Sequence, residues 1–180
     1  MEIAIIIIAA AIILLWTAFT YNNLVGKRNR MKEGFALMDV YLTKRHQLVP
    51  NIVATVKAYA NHEAKVLEDI VKTRNGAKSM DECVEAEISV SAAIQRVMVA
   101  VEAYPDLKAT TSFLDLQQQL VAIEEDIQNA RRYFNGSVRE FNTAIQQFPN
   151  SIIAGLFAFK PARMFEVNDY VERQSVTVSL

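Results

Sequence analysis

A chain of 180 residues with 52% hydrophobic residues is long enough for one domain with a sizeable core plus an extra segment. A net charge of −1 excludes a protein whose bulk charge recruits nucleic acid or another polyanion. Cys83 is the single cysteine, which excludes an intrachain disulfide and fits a reducing compartment.

The hydrophobic excess is concentrated at the start. Residues 3–19, IAIIIIAAAIILLWTAF, carry no charge and no strong helix breaker. This run sits at the short end for a bilayer-spanning helix, and Tyr21, Leu24 and Val25 extend it. Ile3, Ile8, Leu14, Trp16 and Phe19 mark the span, with Trp16 and Tyr21 suited to the aromatic belt. A signal peptide is the competing reading. It would have a shorter apolar core, a basic leader and a small-residue cleavage site. Only Met1 and Glu2 precede the run, and TYNNLVGKRNR follows it without such a site. An uncleaved anchor over residues 1–20 is therefore expected. Lys27, Arg28, Arg30 and Lys32 lie just beyond it, opposed locally by Glu33. The positive-inside rule then places the bulk of the chain in the cytoplasm.

After the anchor the aliphatics recur at helical spacing, and Gly and Pro number five and four in all. One helix is expected to continue from Tyr21 toward Val49. Pro50 is compatible with a helix beginning at Val49 or Pro50, or with a bend in a continuous one. Val53, Val56, Tyr59 or Ala60, Glu63, Val66 or Leu67, and Ile70 carry a second stripe, with Asn61 as a candidate cap. RNGAKSMDE (74–82) reads as a connection, with Ser79 or Asp81 as N-cap. Val84–Tyr104 is a third apolar-rich helix. Pro105 breaks it, and Thr111 or Ser112 can cap the next. The last helix is the clearest. Phe113, Leu116, Leu120, Ile123, Ile127, Ala130, Phe134, Val138, Phe141, Ile145 and Phe148 step by three or four residues, the spacing of a bundle or coiled-coil seam. Pro149 stops it. The expected fold is all-α: a single N-terminal transmembrane helix continuing into an antiparallel four-helix bundle over residues 21–149.

In such a bundle the fourth helix returns toward the membrane. The segment 150–180 follows it. Ile152, Ile153, Leu156, Phe157 and Phe159 form an apolar run too short to span a bilayer, and Lys160 and Arg163 come next. The run either dips into the headgroup region or packs over the open end of the bundle. Together with Tyr21, Lys27, Arg28 and Arg30, these residues are candidates for membrane-interface or oligomer contact. At the tail, Val176, Val178 and Leu180 alternate with small polar residues. This strand-like pattern suits either a frayed terminus or strand addition to a neighbouring copy.

Candidate chemistry is sparse. His62–Glu63 is followed by AKVL, so the HExxH zinc pattern fails at its second histidine. Thr43 precedes His46 by three residues and Tyr59 precedes His62 by three, so no Glu-x-x-His di-metal motif exists. Cys83 lacks a histidine nearby in sequence and reads as packing. No nucleophile elbow and no glycine-rich phosphate loop is present. Glu124–Glu125–Asp126 reads as a solvated face. Lys44, Arg45 and His46 read as a polar surface. No catalytic residue, metal or cofactor is predicted.

YNNLVGKRNRMKEGFALMDVYLTKRHQLVPNIVATVKAYANHE (21–63) resembles the signature of the LemA family of membrane-anchored bacterial proteins. The likeness continues at VEAYPDLKA (101–109), FLDLQQQLVAIEEDIQNARRYFNGSVREFNTAIQQFP (113–149) and IAGLFAFKPARMFE (153–166). Gly34–Phe35 stand where that family commonly has Ala–Trp. The resemblance implies an N-terminal anchor before a four-helix bundle, in the cytoplasmic membrane of a bacterium, and it does not imply an enzyme. Some relatives are tied to bacterial organelle membranes, and others are encoded near membrane zinc metalloproteases.

The expected function is a membrane-anchored, non-enzymatic scaffold. It would self-associate through its bundle and C-terminal segment, with the lipid bilayer and further copies as partners. The alternative is an adaptor that presents substrates to a membrane protease or signalling partner.

Overall fold

A computed structural model of the chain describes residues 1–57 and 80–166. Every regular element among them is helical: α1 (Glu2–Lys57), α2 (Met80–Glu102), α3 (Pro105–Lys108), α4 (Thr111–Gln146) and α5 (Asn150–Leu156). The all-α expectation holds. The second helix of the expected bundle, the stripe from Val53 to Ile70, falls largely on residues outside those described, as do Asn61, His62 and Ser79.

α1 passes through Pro50 without ending, so of the two readings, a helix start at Val49 or Pro50 and a continuous helix, the continuous one is observed. An internal proline costs about 3 kcal/mol through its lost hydrogen bond and ring clash. Val49, Ile52, Val53 and Val56 are all buried around it. Each buried aliphatic contributes about 1.5–3 kcal/mol, so packing outweighs the proline. Pro50 itself is exposed. Asp81 lies within α2 rather than capping it.

The chain divides into two compact units. The first comprises Met1–Asp39 with Gln128–Met164. Within it Lys27 meets Glu140, and the Phe35 and Phe134 rings lie 5.7 Å apart. Rising numbers on α1 meet falling numbers on α4, so the two helices are antiparallel here. Leu24, Phe141, Ala144, Ile145, Ile153 and Ala154 form the buried cluster. Gly34 allows the close approach: a Cβ there would lie 3.2 Å from Phe134 Cα and 3.2 Å from the Tyr133 ring.

α5 closes this unit, and its C-terminus has a defined stop. Ala158 adopts φ 53°, while the Phe159 N–H donates to the Ala154 carbonyl at 2.9 Å and the Ala158 N–H to the Gly155 carbonyl at 3.3 Å. This pair of bonds is the Schellman arrangement, which satisfies the last carbonyls and turns the chain back. Phe159 is thereby returned onto Tyr21 and Phe141. Asn142 then fixes the following strand of chain, donating to the Ala162 carbonyl at 2.8 Å and accepting from its N–H at 2.9 Å.

The second unit is built on Val40–Ile127. Its core joins Val49, Ile52, Val53 and Val56 of α1, Val90, Val97 and Val101 of α2, Leu107 of α3 and Phe113 of α4. The break expected at Pro105 is a single helical turn, with Pro105 at its start, where a missing N–H costs nothing. Thr110 caps α4 in place of the expected Thr111 or Ser112. Its hydroxyl accepts from the Phe113 N–H at 3.4 Å and donates to the Leu107 carbonyl at 2.8 Å. Along α4 the seam residues Phe113, Ile127, Ala130, Phe134, Val138, Phe141 and Ile145 are buried and Leu116, Leu120 and Ile123 are half-buried, while Phe148, beyond the helix end, is exposed.

Candidate functional site

Among the described residues, two groups of side chains stand apart from the ordinary apolar core, one in each unit. In the first unit, Ile3, Ile8, Leu14 and Phe19 of α1 stand exposed. This is the one helix among the described residues long and apolar enough to cross a membrane, and almost none of its apolar window is covered by the protein. An uncovered apolar helix of this length is compatible with a single-pass anchor. Trp16 and Tyr21 are half-buried, because they pack against the cluster formed by α4 and α5. Thr20 and Leu24 are buried on the same face.

Around Tyr21 the aromatic side chains gather. Its ring lies 4.7 Å from Phe157 and 5.8 Å from Phe159. The Arg28 guanidinium sits 5.2 Å over Phe159, a cation–π contact that packs its stem against the unit. The C-terminal apolar run is split by helical geometry. Ile153 and Ala154 face inward and are buried, whereas Ile152 and Leu156, four residues apart, face outward. Phe157 is half exposed beside them. Arg30 and Lys160 are exposed. Lys27 reaches Glu140 at 3.6 Å along an open groove lined by Gly136, Arg139, Thr143 and Gln147. Val176, Val178 and Leu180 lie outside the described residues.

The second unit holds a charge cluster that sequence reasoning missed. Arg45 is 5% exposed, so the polar surface expected at Lys44–His46 is wrong at its central residue. Its Nη1 donates to Glu124 Oε2 at 2.5 Å, and its Nη2 to Ser91 Oγ at 2.9 Å. Nη2 also pairs with Glu87, which is 6% exposed. The Glu124 side chain is 46% exposed, so the solvated face expected at 124–126 is correct only in part. One guanidinium thus bridges α1, α2 and α4. The geometry suits holding three helices in register. Cys83 lies in α2, and His46 in α1. Among the described residues no group of three or more His, Cys, Asp or Glu side chains is placed to hold a metal ion.

The signal for the cluster is positional. Met38, Leu42, Arg45, Val49, Ile52 and Val56 step by three or four along α1, and Glu87, Val90, Ala93, Val97 and Val101 do so along α2. Arg45 and Glu87 occupy seam positions where an aliphatic residue is the rule.

The comparisons with known proteins agree with this picture. The LemA family model matches residues 34–180. The protein LemA of Metamycoplasma hominis is 22% identical over 162 residues, covering 88% of this chain and 74% of that protein. The magnetosome protein MamQ of Magnetospirillum gryphiswaldense is 32% identical over 73 residues, 41% of this chain. A second one, MamQ 2 of Paramagnetospirillum magneticum, is 28% identical over 74 residues. The matches to the two magnetosome proteins span 27% of their length. Neither the family description nor these names denotes an enzyme class. With most of its length matched by the family model, the chain belongs to the LemA family.

Proposed function

We propose that the chain is a membrane-anchored, non-enzymatic scaffold of a bacterial cytoplasmic membrane, self-associating through its long helices. The observation that carries this reading is the continuity of α1. Its apolar first part is uncovered by the protein, and the same helix then enters the packed cores. The exposed faces of these long helices, with Val40, Val99, Val121 and Tyr133 on them, are the surface proposed to meet further copies. The polar groups buried in the second unit are occupied in joining helices to one another, which supports a structural rather than a catalytic use.

Extraction of the full-length protein in mild detergent, followed by mass photometry, tests the proposal. Particles of two or more copies are expected, and a strictly monomeric protein overturns self-association. A stoichiometric foreign protein in the same particles replaces the scaffold by the adaptor.

A further inference from the structure

We infer that α5 and the turn after it form a second membrane contact, a foot beside the anchor whose outer residues Ile152, Leu156 and Phe157 enter the boundary between headgroups and acyl chains. The inference rests on the anchor in the proposed function and adds a depth and an occupant. The first observation is length. A hydrocarbon core of about 30 Å needs about 20 helical residues at 1.5 Å each. Counted from Ile3, the first residue after charged Glu2, the far edge of the hydrocarbon falls near Asn22. Tyr21 is therefore at that edge, and its ring touches Phe157 at 4.7 Å. The foot lies at the depth where lipid begins.

The second observation is which face is bare. Ile153 and Ala154 fill the core, so the helix is held firmly. Ile152, Leu156 and Phe157 are left 57%, 73% and 49% exposed. In water this patch has no purpose at the end of a well-packed unit, whereas at the acyl boundary it is solvated by lipid. The third observation is charge. Lys27, Arg28 and Arg30 follow Asn22 on α1 within about 12 Å of rise, and Lys160 follows the foot. Basic residues at that level match anionic headgroups. This continuity with the anchor favours lipid over a second copy as the occupant.

The test uses the full-length chain with Cys83→Ser and Leu156→Cys, labelled with an environment-sensitive fluorophore. The protein is reconstituted into phosphatidylcholine vesicles containing phosphatidylglycerol. Leu37→Cys is the control, because Leu37 is exposed in the same unit but about 22 Å beyond Asn22 along α1. Shallow spin-labelled lipids are expected to quench the label at 156 several-fold more than at 37, and Ile152→Cys is expected to repeat the result. Equal quenching at 156 and 37 overturns the foot. A blue-shifted but unquenched label at 156 also overturns it, and points to cover by a second copy. Vesicle flotation separates the two levels: a protein that fails to float overturns the anchor itself, while one that floats with 156 unquenched overturns only the foot.

Discussion

Replacing Arg45 by methionine keeps most of the side-chain volume and removes the charge. Glu87, whose side chain is 8% exposed, is then left as a buried carboxylate without its cation. Stranding one partner of a buried ion pair costs about 3–5 kcal/mol. That is a large share of the roughly 5–15 kcal/mol that holds an ordinary domain together. Glu124 is different. Its side chain is 46% exposed, so Glu124→Gln should cost under about 1 kcal/mol. Hydrogen exchange by mass spectrometry on the detergent-solubilised full chain reads this locally. Amides of α2 around Val90–Val97 should exchange about two to four orders of magnitude faster in Arg45→Met, and less than about tenfold faster in Glu124→Gln. Combining Arg45→Met with Glu87→Leu removes both buried charges and should recover most of the protection. Unchanged α2 exchange in Arg45→Met, or a double variant worse than the single, would refute the view that this charge pair organises the unit.

Four further expectations concern the first unit. Gly26 and Gly136 lie in helices with open space around their Cα atoms, so Gly26→Ala and Gly136→Ala should each add about 0.5–1 kcal/mol in thermal melts. Gly34→Leu should instead cost about 1–3 kcal/mol, because the Phe134 backbone stands in the way. Ala158→Gly relieves a left-handed residue worth about 1–2 kcal/mol. Against a larger unfolded-state entropy, the net gain should be about 0.5–1 kcal/mol, visible as slower exchange at Phe159. Asn142→Ala removes two hydrogen bonds to Ala162 and should cost about 1–3 kcal/mol, with faster exchange confined to the segment after α5.

The elements legible in the sequence are those set by local pattern. The apolar first part of α1 announces itself by composition, and the seam of α4 by its three-and-four spacing from Phe113 to Ile145. Where long-range packing decides, the pattern misleads. Pro50 leaves a helix start and a continuous helix both open, because the burial of Val49, Ile52 and Val53 that outweighs its local cost depends on α2 and α4. Arg45 reads as surface because its partner Glu124 is 79 residues away. Charge type alone cannot show that pairing, although the register of Arg45 with Leu42 and Val49 places it on the inward face. In sequence the apolar run after Pro149 suits either a core cap or a membrane contact. Helical periodicity divides it: Ile153 and Ala154 cap the core, and Ile152 and Leu156 remain outside.

The claim that this LemA-family chain is a self-associating membrane scaffold is tested most directly by counting copies in the native membrane. The full chain, carrying one C-terminal fluorophore per copy, is captured with its lipid in polymer-bounded discs and bleached one molecule at a time. The account predicts a population dominated by discs with two or more bleaching steps at native expression. Single-step discs throughout would contradict it.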